Sequence, residues 1–372
     1  MRILFVNVGP IQDRRTWSGI PYSLYQELRK YYEIEEFVIE RTFSDKLYTA
    51  ARRHILKDNG FWYLSRMFAK KTSKALSEKL NTHAYDAAFV IGCACLAYVK
   101  TNVPIVYFTD AVFSAMVNYY WYNLSEREAR EYNETQKLAL QNADITVVTS
   151  KWAMDAAVHD YHIETSKIKV HHFGSNIEVA NVRQLPHDDF NILFVGADLK
   201  RKGIDIALEC VHLLNQKDNS CHYVLHVVGG TPEQEVDDSE VKVYGFINRN
   251  LDAERQKLDY LRETSDLFLL PTRAECAGIV FCEAAAYGLP SLSFDTGGVS
   301  DYILNGKTGF LMKTDATASD FADKILEIAH NKELLESMKK NSRELFEKDL
   351  NWTQLGLSIK SEIEAITGKS HD

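Results

Sequence analysis

Pro271-Thr-Arg-Ala-Glu275-Cys-Ala-Gly278-Ile-Val-Phe-Cys-Glu283-Ala-Ala-Ala-Tyr-Gly288-Leu-Pro290 places two carboxylates around a strand-to-helix turn. Just upstream, Asp266-Leu-Phe-Leu-Leu270 is a short apolar run of the kind a buried parallel strand requires. Downstream, Ile279 to Tyr287 is apolar and Ala-rich, and Gly288-Leu-Pro290 stops it as a short helix. Gly278 stands where that helix begins, so the amides of Gly278, Ile279 and Val280 are left to face a ligand above the sheet. Free N–H groups at a helix start favour an anion, typically a phosphate. Glu275 precedes those amides and Glu283 lies one turn in, on the face of Ile279. One carboxylate can reach the sugar side of a diphosphate and the other the ribose side.

This Glu-x7-Glu string, with its glycine, Ala-rich helix and Gly-x-Pro stop, resembles the donor site of retaining glycosyltransferases of the GT4 type. The resemblance implies the GT-B fold: α/β, with two facing Rossmann-like doubly wound parallel-sheet domains and a cleft between them. It also implies that Glu275 contacts the donor sugar, that Glu283 hydrogen-bonds the ribose hydroxyls, and that the Gly278 turn binds phosphate. The competing reading is a solvated Glu275 and a surface Glu283. An ionised Glu in an Ala-rich buried segment, however, needs a partner to offset its desolvation.

Length and composition agree with two domains. A chain of 372 residues exceeds one typical core, and its 45% apolar and 26% charged residues are ordinary for a globular protein. A net charge of -9 argues against a general nucleic-acid binder. The six cysteines, Cys93, Cys95, Cys210, Cys221, Cys276 and Cys282, form no CxxC pair and read as buried hydrophobes in a reducing compartment. Met1-Arg-Ile-Leu-Phe-Val-Asn reads as a first strand and not a signal peptide. With no apolar run of about 18 residues, the expectation is a cytoplasmic protein, at most peripheral on the inner face of a membrane.

Strand-like and helix-like segments alternate twice along the chain, as a parallel sheet with helices on both faces requires. The first series holds strands at 2–8, 36–40, 87–91, 105–108, 145–149 and 168–172, with helices near 19–31, 47–80, 126–142 and 151–161. Polar, aperiodic residues from Glu178 to Asp189 read as the linker. The second series has strands at 191–195, 222–228, 241–244, 266–270 and 292–294, and its end is helical from Ala318 onward. The expected division is 1–186, an acceptor domain, and 187–351, a nucleotide-sugar donor domain. A last helix in 352–372 packs back on the first domain, as the resemblance implies.

Other motifs fall at strand ends, where doubly wound sheets bind ligands. In Phe194-Val-Gly196-Ala-Asp198-Leu-Lys-Arg201-Lys202-Gly203, a strand ends in Gly196 and a basic pair precedes a helix. Arg pairs bidentately with phosphate oxygens, whereas Lys is a compact point charge. The string is similar to a GT4 variant in which both cations hold the diphosphate, although Ala197 stands where many members have Arg. Either Arg201 or Lys202 could be the main ligand. Gly19 in Trp17-Ser-Gly-Ile-Pro21 resembles the loop that closes over the donor phosphate, and reads equally as a plain helix-opening turn. Tyr244-Gly-Phe246-Ile247 resembles the segment whose backbone reads the base, and Thr296-Gly-Gly298 with Asp301 lies at the next strand end. Asp110, ending Pro104-Ile-Val-Tyr-Phe-Thr-Asp110, either orients the sugar or acceptor hydroxyl or caps the next helix. His171 and His172 are adjacent on a strand, point to opposite faces and cannot chelate one ion.

Between Lys46 and Leu80 nine Lys and Arg stand against Asp58 and Glu78, with Phe61, Trp62, Tyr63, Met67 and Phe68 interleaved. That mixture suits either an anionic bilayer surface or a core-packed helix with a solvated basic face. The resemblance implies transfer of a hexose, with retention, from a UDP- or GDP-sugar to a hydroxyl acceptor that is a saccharide and could be lipid-linked, as in cell-surface polysaccharide assembly. It implies neither a cofactor nor a metal. The alternatives are an epimerase, a phosphorylase (which would carry pyridoxal phosphate on a lysine), or a non-catalytic sugar-nucleotide binder.

Overall fold

Apolar runs bounded by glycine, proline or polar turns become strands covered on both faces when helices flank a parallel sheet. The computed structural model describes residues 1–369 apart from 56, 60, 93, 178–181, 234, 235, 238, 249 and 250, and in it these runs build two six-stranded sheets. The first contains β1 (Arg2–Val8), β2 (Glu33–Ile39), β3 (Ala87–Ile91), β4 (Ile105–Thr109), β5 (Ile145–Val148) and β6 (Ile168–Val170). Their spatial order is β2-β1-β3-β4-β5-β6, with every described pairing parallel. The second contains β7 (Phe190–Val195), β8 (Tyr223–Val228), β9 (Val241–Gly245), β10 (Leu267–Leu269), β11 (Ser291–Phe294) and β12 (Gly309–Met312). Here the order is β12-β11-β10-β7-β8-β9, again parallel. Central strands such as β3, β5 and β7 are buried at every residue, as two-sided cover requires.

Helices α1 (Ile20–Leu28), α2 (Phe43–Ile55), α3 (Arg66–Thr82), α4 (Phe113–Met116), α5 (Glu126–Asn142) and α6 (Lys151–Tyr161) accompany the first sheet. Helices α7 (Ile204–Lys217), α8 (Asp252–Glu263), α9 (Ile279–Ala286), α10 (Ala318–Ala329) and α11 (Lys332–Lys348) accompany the second, and α12 (Trp352–Thr367) closes the chain. Capping boxes fix two of the starts: Ser125 with Glu128 opens α5, and Thr317 with Asp320 opens α10.

The chain divides into two compact units, Met1–His172 joined by the residues from Trp352 onward, and Phe173–Asn351. Helix α12 belongs to the first: the Tyr32 hydroxyl donates to the Lys360 carbonyl at 3.4 Å, and His171 Nε2 lies 3.0 Å from Glu362 Oε1. The change of unit falls at His172 and Phe173, ahead of the polar stretch expected to link the domains. Phe173 is buried and donates its N–H to the Tyr302 hydroxyl at 3.0 Å. The Leu185 N–H donates to the Glu263 carbonyl at 3.1 Å, so the end of that stretch is tied to the second unit. Cys93 and residues 178–181, which begin the expected linker, lie outside the described residues.

A polar chain runs through the second sheet. The Asn191 side-chain amide donates to the Thr264 carbonyl at 2.9 Å, leaving Asn191 Oδ1 to accept from His226 Nε2 at 2.9 Å. His226 Nδ1 then accepts from the Tyr244 hydroxyl, also at 2.9 Å, and the two rings stack with centroids 5.8 Å apart. This network holds imidazole in its neutral form. Burial pushes the His226 group down to about 4, and the nearby Lys242 ammonium adds to the effect. An unfolded histidine titrates near 6.5, so between those values the unfolded chain binds the extra proton and the folded chain does not. The contribution is complete above pH 6.5 and declines as pH falls toward 4, by on the order of 3 kcal/mol. Thermal melting across this range should show a steeper acid decline for the native chain than for His226→Gln. Parallel curves would refute the assignment.

Candidate active site

Both sheets change direction of chain travel at one point. In the second, the chain runs outward from β7 through β8 to β9, then returns to the other side of β7 as β10. The loops after β7 and β10 therefore diverge and leave a crevice at their carboxyl ends, the general ligand position in such sheets. These two loops carry Gly196, Arg201 and Lys202 on one side and Glu275 and Gly278 on the other.

The structure brings those residues together. Lys202 Nζ forms an ion pair with Glu275 Oε2, and Arg201 Nη1 stands 3.6 Å from the same oxygen. Arg201 is steadied by Asp198 Oδ2 at 3.2 Å and by the Ala274 carbonyl at 2.7 Å. The Lys202 side chain is 9% exposed and that of Glu275 12%, so the pair is largely out of water. Gly196 makes room for it: a Cβ there would come within 2.9 Å of Lys202 Cγ. The Arg273 N–H donates to the Arg201 carbonyl at 2.8 Å and its guanidinium pairs with Asp205 at 2.7 Å, stitching one loop to the other.

Gly278 is the N-cap of α9 with φ 89°, a left-handed conformation in which a side chain is strained. A Cβ would also strike the Phe281 ring at 2.6 Å and Glu275 Cγ at 3.1 Å. Ile279 and Val280, the first residues of α9, are half-buried at this helix start. The Glu275 carbonyl accepts from the Gly298 N–H at 3.1 Å, which joins the Thr296-Gly297-Gly298 turn to the same loop.

Glu283 sits deeper. Its side chain is 2% exposed, and Arg262 Nη2 of α8, itself 3% exposed, holds Oε2 at 2.8 Å. Arg262 also reaches Asp259 at 3.4 Å and lies over the Tyr287 ring, whose hydroxyl donates to Asp259 at 2.7 Å. The carboxylate that the resemblance assigns to the ribose is thus engaged by an arginine that the sequence reading did not single out. The signal was faint, a lone basic residue near the end of an amphipathic helix. Phe246, after β9, is 76% exposed, whereas Ile247 is buried at 8%. Their strand is two places along the sheet from β7, about 10 Å at the usual interstrand spacing.

The remaining candidates belong to the first unit. Gly19 caps α1 with φ 83°, and Trp17 and Ser18 before it are also left-handed, at φ 42° and 56°. Such a run at bulky residues is uncommon and costs of order 1 kcal/mol per residue. The Trp17 ring meets Phe108 edge-on at 6.2 Å, beside the strand end that carries Asp110. Asp110 is half-buried, and the N-cap of α4 is Val112 with no side-chain cap bond. In the basic segment, the aromatic residues read as a bilayer contact turn inward: Phe68 is 1% exposed and Trp62 packs on it at 4.9 Å. Its cations mostly pair with acids of the same unit, Arg66 with Glu134, Lys71 with Asp45 and Lys79 with Glu35. No described helix is long and apolar enough to cross a membrane.

Two parallel doubly wound sheets with this strand order define a GT-B architecture. The Anabaena protein HepE, solved in complex with UDP, superposes with TM-score 0.67 over 98% of this chain and 100% of its own, at 16% identity, a likeness of fold. Residues 176–345, nearly all of the second unit, match the family described as Glycosyl transferases group 1. An uncharacterized glycosyltransferase of Methanocaldococcus jannaschii is 26% identical over 62% of each chain. The capsular polysaccharide biosynthesis glycosyltransferase CapM of Staphylococcus aureus is 27% identical over 50% of each. The matched part thus spans between half and two-thirds of these relatives.

Arg262→Met would leave the Glu283 carboxylate buried without its arginine, at a cost of about 3–5 kcal/mol. The paired change Arg262→Met with Glu283→Leu should recover most of that loss in urea unfolding. A single variant within about 0.5 kcal/mol of the native chain would show that the ion pair is no strut.

Proposed function

We propose that the chain is a glycosyltransferase that moves a sugar, with retention, from a nucleoside diphosphate to a hydroxyl acceptor. The observation carrying this reading is the convergence of Lys202 and Arg201 on Glu275, beside the start of α9, at the switch point of the second sheet. Two cations and a helix N-terminus suit the charge that develops on a leaving diphosphate, and act without reorganisation because the loops already hold them. Glu275 would meet the donor sugar. Phe246 and Ile247 follow β9, two strands from β7, and would lie on the base side of a nucleotide held at the switch point; the UDP held by the HepE structure supports a uridine donor.

Among the described side chains of these loops we assign no covalent nucleophile. In the proposed reaction the acceptor oxygen bonds to the anomeric carbon on the face that the phosphate oxygen leaves. The acceptor proton passes to that departing oxygen, so charge and atoms balance. Asp110 and the Gly19 turn would serve the first unit's part in orienting acceptor and donor. The positive charge comes from Arg201 and Lys202, and transfer is proposed to proceed in the presence of a chelator. Similarity to CapM supports a saccharide acceptor in the assembly of a cell-surface polysaccharide.

Thermal melting with UDP, GDP and ADP should reveal one nucleotide that raises the transition, since a ligand of the native state alone stabilises it. With the matching sugar nucleotide, Lys202→Ala and Glu275→Gln should each lower kcat/KM by about 100-fold or more while leaving the fold intact. Undiminished turnover in both variants would overturn the site.

A further inference from the structure

Helix α2 presents the reverse of the usual amphipathic arrangement. Its buried residues are Asp45, Thr49 and Arg52, all polar. Asp45 accepts from the Thr42 N–H at 2.8 Å and pairs with Lys71 of α3 at 2.9 Å. Arg52 pairs with Asp58 at 2.7 Å and with Glu131 of α5 at 2.9 Å. Charge pairs thus tie the helix to its neighbours.

The opposite face is apolar and turned to solvent. Phe43, Leu47 and Ile55 are 74%, 57% and 77% exposed, and with the exposed Ala51 they recur every fourth residue as one stripe. Arg41, Lys46, Arg53, His54 and Lys57, all exposed, surround it. Asp45 is the sole acid from 41 to 57, and it is buried and paired. A stripe of large side chains whose exposed charged neighbours within 41–57 are all cations, with the exposed Glu40 just ahead of them, is unfavourable in water unless something covers it.

We propose that α2 lies in the interface of an anionic lipid surface, its Phe43, Leu47 and Ile55 face among the acyl chains and Lys46 and Arg53 at the phosphate headgroups. Charge decides the occupant. A second copy of this chain docked on the same face would bring like cations together. An anionic bilayer supplies apolar depth and negative charge to one helix of 13 residues, about 20 Å long. The first unit then meets lipid through α2 and not through the aromatic residues before α3, Phe61, Trp62 and Tyr63, which pack partly buried against the core.

The test uses the full chain and sedimentation with vesicles of phosphatidylcholine, alone or with about 30% phosphatidylglycerol. We expect binding to the anionic vesicles, at least about tenfold weaker to neutral ones and in roughly 0.5 M salt. Leu47→Ser with Ile55→Ser, and separately Lys46→Glu with Arg53→Glu, should each weaken it about tenfold with the circular dichroism spectrum unchanged. Failure to sediment with anionic vesicles, or equal sedimentation of native chain and variants, overturns the proposal. So does light scattering that shows a dimer converted to monomer by the serine variant.

Discussion

The meeting of Lys202 with Glu275 is the interaction on which the candidate site depends. Each side chain is about nine-tenths withdrawn from water, and neither charge would be tolerable there alone. Their attraction fixes the loop after β7 against the loop after β10, with Arg201 bonded to the Ala274 carbonyl as a second tie. Gly196 and Gly278 follow from it: one admits the lysine stem, and the other lets the chain turn beside Glu275. The strand order explains why the pair forms here, because β7 and β10 are neighbours in space though α7, β8, β9 and α8 separate them in the chain. In the proposed reaction a diphosphate would share these cations with the carboxylate, so the site holds its charge ready before a ligand arrives.

A second ion pair lies behind the first and does different work. Glu283 and Arg262 are 2% and 3% exposed, joining α9 to α8 beneath the loop that carries Glu275. Two carboxylates eight positions apart in one motif thus have separate surroundings, one at the mouth of the crevice and one in the core. Burial of the deeper one makes α9 a rigid mount for its own N-terminus. Polar groups also support the neighbouring strands, through Thr264, Asn191, His226 and Tyr244. The region where the base is proposed to lie is therefore braced by hydrogen bonds as well as by apolar packing.

Much of this could be read in the sequence because strands buried on both faces leave an unbroken apolar signature. The segments 2–8 and 87–91 coincide with β1 and β3, and 126–142 and 151–161 with α5 and α6. Strand β12 escaped because four residues after a Gly-containing turn carry too little periodicity to mark an edge strand. The Lys202–Glu275 contact was not legible as a contact: the motifs stand out singly, but pairing across 73 positions is a property of the strand order. Arg262 was hidden for the same reason. In the basic segment composition sums over faces, so a bilayer contact and a core-packed helix with a solvated basic face could not be told apart. Phe68 is core with Phe61, Trp62 and Tyr63 packed partly buried against it, most of the α3 cations are paired, and the exposed apolar stripe belongs to α2, where burial of Asp45 and Arg52 could not be foreseen from charge alone.

That division of faces also resolves an apparent conflict between a chain of net charge -9 and a helix suited to an anionic surface. Net charge governs interactions at distances where the whole molecule acts as one, and salt at cellular strength limits this to about 8 Å. Beyond that length the acids elsewhere on the chain are screened from a headgroup beside α2. Within it, the exposed charges from 41 to 57 are all cations, because the one acid there is turned inward onto Lys71. The buried salt bridges of α2 therefore do two things together. They hold the helix to the first unit through its polar side, and they turn inward the one carboxylate of the helix itself, Asp45, which would otherwise oppose an anionic partner.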